Sequence, residues 1–235
     1  MPRLGEALKA IVGEGEEAIG VRGRPESMLM NPTRQRIFEH LCHWPASRLR
    51  PMSRKLGVSA TVVQFHLRKM MQHQYVSAKE VDGSAVYYPA DLKASEEDVT
   101  AMALLANDDA RSVLRLAVEK PGLTSAEIAP EVGRGVAAIR SILKSLEEPG
   151  LVAIVIDGRH NRVFPGDGLF KLDKRTRQLL RGMKGRLTKR LARDHLNPQI
   201  EMDARREGTI SLHFGGKTHR LRLPSEGLVP WISSR

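Results

Sequence analysis

One cysteine stands among 235 residues, and that scarcity excludes a good deal. Cys42 cannot form a disulfide within its own chain, so no disulfide scaffold is expected, and a reducing cytoplasm suits it. Aromatic residues make up only 4% of the chain, so its cores must be aliphatic. No run of about 18 uninterrupted apolar residues occurs, which argues against a membrane-spanning helix. The opening residues lack a signal-peptide pattern: after Arg3 the apolar run Ala7–Val12 is broken by Lys9 and followed by acids. Acids are scarce as well, 27 Asp and Glu against 38 Lys and Arg, for a formal charge of +11. The length allows one or two ordinary domains, or three small ones.

What is present, first, is repetition. Sliding the chain by 76 residues sets Phe38 on Leu114, Leu56 on Val132, Val63 on Ile139, Leu67 on Leu143, Met70 on Leu146 and Val76 on Val152. Gly57 falls on Gly133 and Pro89 on Pro165, with no gap expected before the tip of the last hairpin. A period this long with this patterning marks a duplicated domain of about 60 residues, not a solenoid turn. The copies differ in charge. Residues 29–90 carry 9 basic and 3 acidic side chains, residues 104–168 carry 8 and 9, and residues 170–235 carry 16 and 6. Basic patches attract polyanions and displace counterions from nucleic acid, so the first copy and the tail are the better candidates for such contact.

In the first copy, Asn31-Pro32-Thr33 predicts a helix start, with Asn31 capping and Pro32 tolerated in the first turn. The helix runs to about His43, with Ile37, Phe38 and Leu41 inward, and Trp44-Pro45 ends it. A second helix is expected over Arg48–Leu56, closed by Gly57 in a left-handed C-cap. Ser59 caps a third helix, Ala60–Gln74, with Val63, Leu67 and Met70 inward and Ala60, Thr61, Gln64, Phe65 and Arg68 outward. Tyr75-Val76, Asp82-Gly83 and Val86-Tyr87-Tyr88 read as a hairpin, with Lys79 placed to reach a phosphate.

The string Leu56-Gly57-Val58-Ser59, then Val63, His66-Leu67 and Met70, followed by Tyr75-Val76 and an Asp-Gly wing, resembles the ArsR-like and MarR-like winged-helix regulators of bacteria and archaea. The resemblance covers about 60 residues. It implies a helix-turn-helix whose third helix enters the major groove. Gln64 would face adenine, Arg68 guanine or a phosphate, and Ala60 and Thr61 a thymine methyl. Arg54, Lys55, Lys69 and Lys79 would hold phosphates. Winged helices also serve as protein-docking modules.

The second copy repeats the plan. Asp108–Val118 is its first helix, and Pro121-Gly122 breaks the chain. Thr124 and Glu127 form a capping box. Arg134–Glu147 is the third helix, and Leu151–Ile156, Asp157-Gly158 and Arg162–Phe164 make the wing. Arg134, Arg140 and Lys144 line its outer helical face, with Arg159, His160 and Arg162 on the wing. Two alternatives stay open here: contact with DNA, or docking on its twin or a second subunit.

The chain divides on this basis into an N-terminal arm (1–28, expected mobile), a first winged helix (29–90), an acidic helical linker (91–106, with Val99, Met102, Leu104 and Leu105 packing), a second winged helix (107–166) and a C-terminal segment (167–235). Lys171–Arg193 holds ten Lys or Arg and one acid around a stripe of Leu172, Leu179, Leu180, Met183, Leu187 and Leu191. Its Lys174, Arg175, Arg181 and Lys184 are candidate phosphate contacts, the competing readings being a membrane-surface helix or a merely solvated face. Gly182 and Gly185 weaken that helix by about 1 kcal/mol each relative to alanine. From Gln199 the period falls to two: Ile200, Met202 and Ala204, then Ile210, Leu212 and Phe214, then Leu221 and Leu223. Turns at Glu207-Gly208 and Gly215-Gly216 make a three-stranded meander, covered by the preceding helix and too small to stand alone.

Other constellations fail on spacing. Cys42, His40, His43, His66 and His73 form no zinc framework, so no metal and no cofactor are expected. Gly215-Gly216-Lys217-Thr218 lacks the upstream glycine and following helix of a phosphate loop. No nucleophile elbow supports an enzyme. The expected fold class is mainly α with small β wings (α+β): two winged helix-turn-helix domains in tandem, a C-terminal basic helix and a small antiparallel β-meander. The expected function is a DNA-binding transcriptional regulator, cytoplasmic and nucleoid-associated. Its expected partners are double-stranded DNA and, through the linker or C-terminal segment, a second copy of itself, with no membrane. The alternatives are an architectural, chromatin-like protein with little base preference and a winged-helix interaction module.

Overall fold

A computed structural model describes residues 25–202, 208–214 and 216–224. They fall into two compact units, one joining residues up to 93 with those from 181 to 224, the other comprising 94–180. Of the expected N-terminal arm, Pro25–Met30 form a 3-10 turn that buries Met28 and Leu29. Its earlier part lies outside the described residues.

In the first unit, helix α1 (Pro32–His43) starts where Asn31 accepts the Arg34 N–H at 3.0 Å. It buries Ile37, Phe38, Leu41 and Cys42, each full burial of a large aliphatic or aromatic side chain stabilising by about 1.5–3 kcal/mol. Strand β1 (Ser47–Arg48) follows, then α2 (Leu49–Leu56), which ends on Gly57 at φ 64°. Helix α3 (Ala60–Gln72) is capped by Ser59 and buries Val63, Leu67 and Met70. Strands β2 (Val76–Val81) and β3 (Ser84–Pro89) complete a sheet in the order β1-β3-β2. Asp82 and Gly83 both have positive φ, 49° and 67°, the type I′ turn that matches hairpin twist. The two-residue β1 takes Arg48 out of the expected second helix; it is too short to leave a periodic signal.

The second unit opens with α4 (Glu96–Leu105), where Ser95 and Asp98 form a capping box. Val99, Met102, Ala103 and Leu105 are buried, while Leu104 is only half so. Then the first copy's boundaries recur 76 residues on: α5 (Asp108–Glu119), β4 (Leu123–Thr124), α6 (Ser125–Val132), α7 (Val136–Glu147), β5 (Val152–Asp157) and β6 (His160–Pro165), only α7 being a residue shorter. The ladders repeat as well, Leu123 opposite Val163 where Ser47 faces Tyr87.

The second wing corrects the sequence reading. Asp157 pairs with His160 inside the ladder, so the turn is Gly158-Arg159 and the register holds without a gap through the tip. Gly158 alone has positive φ there, 59°, the glycine-first pattern of a type II′ turn. The third helix also starts later than expected, at Val136 behind Gly135, leaving Arg134 in the turn.

Helix α8 (Asp167–Arg193) is continuous over 27 residues, past both glycines; its residues to Leu180 belong to the second unit and the rest to the first. The expected stripe is buried except Leu179, and Leu169 and Thr176 join it. Gly182 has a local reason: a β-carbon there would come within 2.9 Å of the Arg186 guanidinium. That guanidinium donates to the carbonyls of Asp91 and Leu92 at 2.8 and 3.2 Å.

Strands β7 (Gln199–Met202), β8 (Gly208–Phe214) and β9 (Lys217–Leu223) form the expected antiparallel meander. Ile210, Leu212, Leu221 and Leu223 are buried; Ile200 stands opposite Ile210, on the expected face, but on the outer strand is 54% exposed. The expected cover was the preceding helix. Along its edge, β9 is hydrogen-bonded to α1: the Arg222 N–H donates to Glu39 at 2.9 Å, and the Gln35 amide donates to the Arg220 carbonyl. Ala204, Glu207 and Gly215 lie outside the described residues.

Candidate nucleic-acid interface

Along α3 the positions 61, 64, 65 and 68 fall at helical spacings of three and four, which puts them on one face. Thr61, Phe65 and Arg68 are exposed and Gln64 half-buried, while Val63 and Leu67 turn into the core. Ser59 uses its hydroxyl on the Val62 N–H at 3.4 Å, and Ala60 and Lys69 are half-buried beside this face. Phe65 is 53% exposed, a large apolar ring left in solvent at the middle of a polar helix face. Its edge meets His66 with centroids 5.3 Å apart. His66 itself is half-buried: burial, helped by Arg34, pulls its pKa down, and its Nδ1 has no partner among the described residues.

Arg54 and Lys55 close α2 on the surface, and Lys55 Nζ stands 5.1 Å from the centre of the Trp44 ring. Lys79 is half-buried on β2. Two cations beside this surface were missed in the sequence. Arg50 is exposed in the first turn of α2, and Arg48 pairs with Asp82 of the wing at 3.6 Å. The signal was Arg48-Leu49-Arg50 itself, at a helix N-terminus whose free N–H groups favour anions.

In the second copy, Arg140 and Lys144 are exposed one turn apart on α7, and Arg159 is exposed at the wing tip. With His160 they line a cavity of about 420 Å³ between α7, the wing and the start of α6. Arg134 and Arg162 are committed elsewhere: Arg134 pairs with Asp109 at 2.8 Å, and Arg162 with Asp157 at 2.6 Å while also reaching the Gly122 carbonyl at 3.0 Å. Hydrogen bonding to its carboxylate partner raises the pKa of each guanidinium.

The chain is similar to an uncharacterized HTH-type transcriptional regulator of Methanocaldococcus jannaschii. The two are 25% identical over 149 residues, which is 63% of this chain and 37% of that archaeal protein. No family model matches the chain.

The tail supplies fewer available charges than its composition implies. Lys174 and Arg181 are exposed. Arg175 is ion-paired to the buried Asp98, and Arg190 to the buried Asp91 at 2.9 Å. Lys184 is half-buried, and burial lowers its pKa. Cys42 is wholly buried; His43 Nδ1 contacts the Glu39 carbonyl at 2.8 Å and His40 Nε2 contacts Ser47 at 3.1 Å. Among the described residues no three His, Cys, Asp or Glu side chains converge on a metal position. No helix among them is long and apolar enough to cross a membrane.

Proposed function

We propose that this chain is a DNA-binding transcriptional regulator of the ArsR-like or MarR-like winged-helix kind, and not an enzyme. The observation that carries the reading is the α3 face. Thr61, Gln64 and Arg68 point outward from a helix of the right order in the motif, flanked by Arg50, Arg54 and Lys55. Gln64 and Arg68 read bases; the flanking cations, with Lys69 and Lys79, hold phosphates and set the register without carrying sequence information. Arg140, Lys144 and Arg159 give the second copy a weaker grip, and Lys174 and Arg181 add charge from the tail. A protein acting on chromosomal DNA would work in the cytoplasm, at the nucleoid, and dimerisation through the linker or C-terminal segment would add a second set of contacts. Similarity to an HTH-type regulator supports the class.

The test is selection of the purified protein on a randomised duplex pool at about 150 mM salt, where screening weakens charge-only contacts. One enriched motif is expected. Gln64→Ala or Arg68→Ala should then cost about 1–3 kcal/mol of discrimination at one position. Retention without enrichment would replace this reading with an architectural one. A second reading, that the second copy docks protein, draws on Val155 and Ile156, exposed 50% and 78% on β5. The first copy has Lys79 and Glu80 at the matching places. Loss of all DNA retention would favour it.

A further inference from the structure

The two copies share a backbone register, so side chains 76 apart can be compared place by place. The groove between third helix and wing is where they part most. On β3 the first copy buries Tyr87, only 8% exposed. The second copy has Val163 at that place, and the phenol's volume is gone. On the helix, Gln64 and Arg68 become Arg140 and Lys144; at the wing tip, Gly83 becomes Arg159. The result is the cavity of about 420 Å³, floored by Leu143, Ile154 and Val163 and rimmed by Arg140, Lys144 and Arg159. Its volume lies within the range of small-molecule pockets.

None of the three rim cations has an ion-pair partner among the described residues, whereas Arg134 and Arg162 nearby do. One acid, Glu147, also lines the cavity, so the local balance remains cationic. The adjoining end of α6 adds little, because Glu127 already accepts the Thr124 N–H at 2.8 Å. An apolar floor under a cationic rim favours an amphiphilic anion: an inorganic anion gains from the rim alone and a neutral apolar compound from the floor alone, whereas an amphiphilic anion gains from both.

We infer that the second winged helix binds a small organic anion in this cavity, its phosphate or carboxylate on Arg140, Lys144 and Arg159 and its apolar body on Leu143, Ile154 and Val163. Bound there, the anion takes the same side chains that the proposed function gives to DNA, so it weakens the second copy's grip. That regulatory consequence rests on the DNA-binding reading; the binding site does not.

Isothermal titration of the full chain with phenyl phosphate and with inorganic phosphate, in the absence of DNA, tests the site. Phenyl phosphate should bind saturably and at least about tenfold more tightly than inorganic phosphate, since only it covers the floor. R140Q, which installs the first copy's residue at an exposed helix position, should weaken it about tenfold or more. The double variant I154A/V163Y, which installs Ala78 and Tyr87 of the first copy, should abolish it. Equal affinity for the two phosphates, or unchanged binding by R140Q, overturns the inference. So does absence of phenyl phosphate binding in a protein that holds a DNA duplex through Arg140: the groove would then be a seat for backbone phosphate. Failure to bind any duplex leaves the titration result untouched, so the two proposals fail separately.

Discussion

Asp91→Ala is expected to destabilise the first unit by about 3 kcal/mol, and the figure follows from geometry. The Asp91 side chain is 8% exposed and that of Arg190 17%. Arg190 donates from Nε and Nη2 to the two carboxylate oxygens at 2.9 and 3.2 Å. At an effective dielectric of about 20 and a charge separation of about 4 Å, the attraction is about 4 kcal/mol. Most of that offsets the cost of desolvating both ions, so an apolar pair of similar volume would serve about as well. Removing one partner is different, because it strands the other charge, at a typical cost of about 3–5 kcal/mol. The lower end applies here. Arg190 keeps some solvent, faces the Tyr75 ring at 5.3 Å and reaches the His73 carbonyl at 3.4 Å. Asp91→Asn, which retains one acceptor, should cost about 2 kcal/mol. The double variant Asp91→Leu/Arg190→Met should fall within about 1 kcal/mol of the parent. Urea unfolding followed by Trp44 fluorescence in a Trp231→Phe background measures all three. A loss below about 1 kcal/mol for Asp91→Ala, or a double variant as unstable as the sum of its single changes, would refute this account.

Gln74 holds φ 58° where the second copy has Gly150 at φ 68°. Relief of about 1–2 kcal/mol of left-handed strain, less about 0.5–1 kcal/mol of glycine entropy, gives Gln74→Gly a gain near 0.5 kcal/mol, visible as a higher urea midpoint. Burial pushes the Cys42 thiol pKa up, so a disulfide reagent such as dithionitrobenzoate should find no thiol at pH 8 until urea unfolds the first unit. Burial raises the Asp98 pKa, but hydrogen bonds from Arg175 and Ser95 outweigh it and hold the carboxyl below its ordinary value. A depressed acid contributes stability that is present above its unfolded pKa, near 4, and is lost as pH falls through the folded one. Asp98→Asn should therefore flatten the decline in melting temperature below about pH 4; an unchanged acid limb would assign the decline to other carboxylates.

Local signals carried much of the fold. Asn31, Ser59 and the Thr124–Glu127 box start helices because their side chains meet backbone N–H groups a few residues on, a relation visible in any linear string. Gly57 and Gly133 end helices for an equally local reason. The period-two pattern after Gln199 found the meander and its apolar face, Ile200 standing opposite Ile210, but not that Ile200 stays exposed there. What escaped were relations between distant residues. Charge counting treated Arg175 and Arg190 as available, yet each meets an acid 77 or 99 positions away. The slipped turn in the second wing came from weighing the Asp-Gly dipeptide above the ladder register that in fact governs it. Of the candidate site, the α3 face was legible from helical spacing alone. The cavity was not, because it comes from Val163 lacking a ring, and an absent volume leaves no mark until both copies are folded.

The shared register also bears on how the chain reaches its native state. Two copies that share a backbone register present one another with acceptable templates: β4 could add to β3 as its backbone adds to β6. Such exchange is a characteristic trap for duplicated proteins during folding. Beyond nearness along the chain, what separates the right from the wrong partner is side-chain fit, Ser47 against Tyr87 in one copy and Leu123 against Val163 in the other. Divergence at these pairs thus acts on folding fidelity as well as on recognition: it keeps each half of the chain loyal to its own sheet.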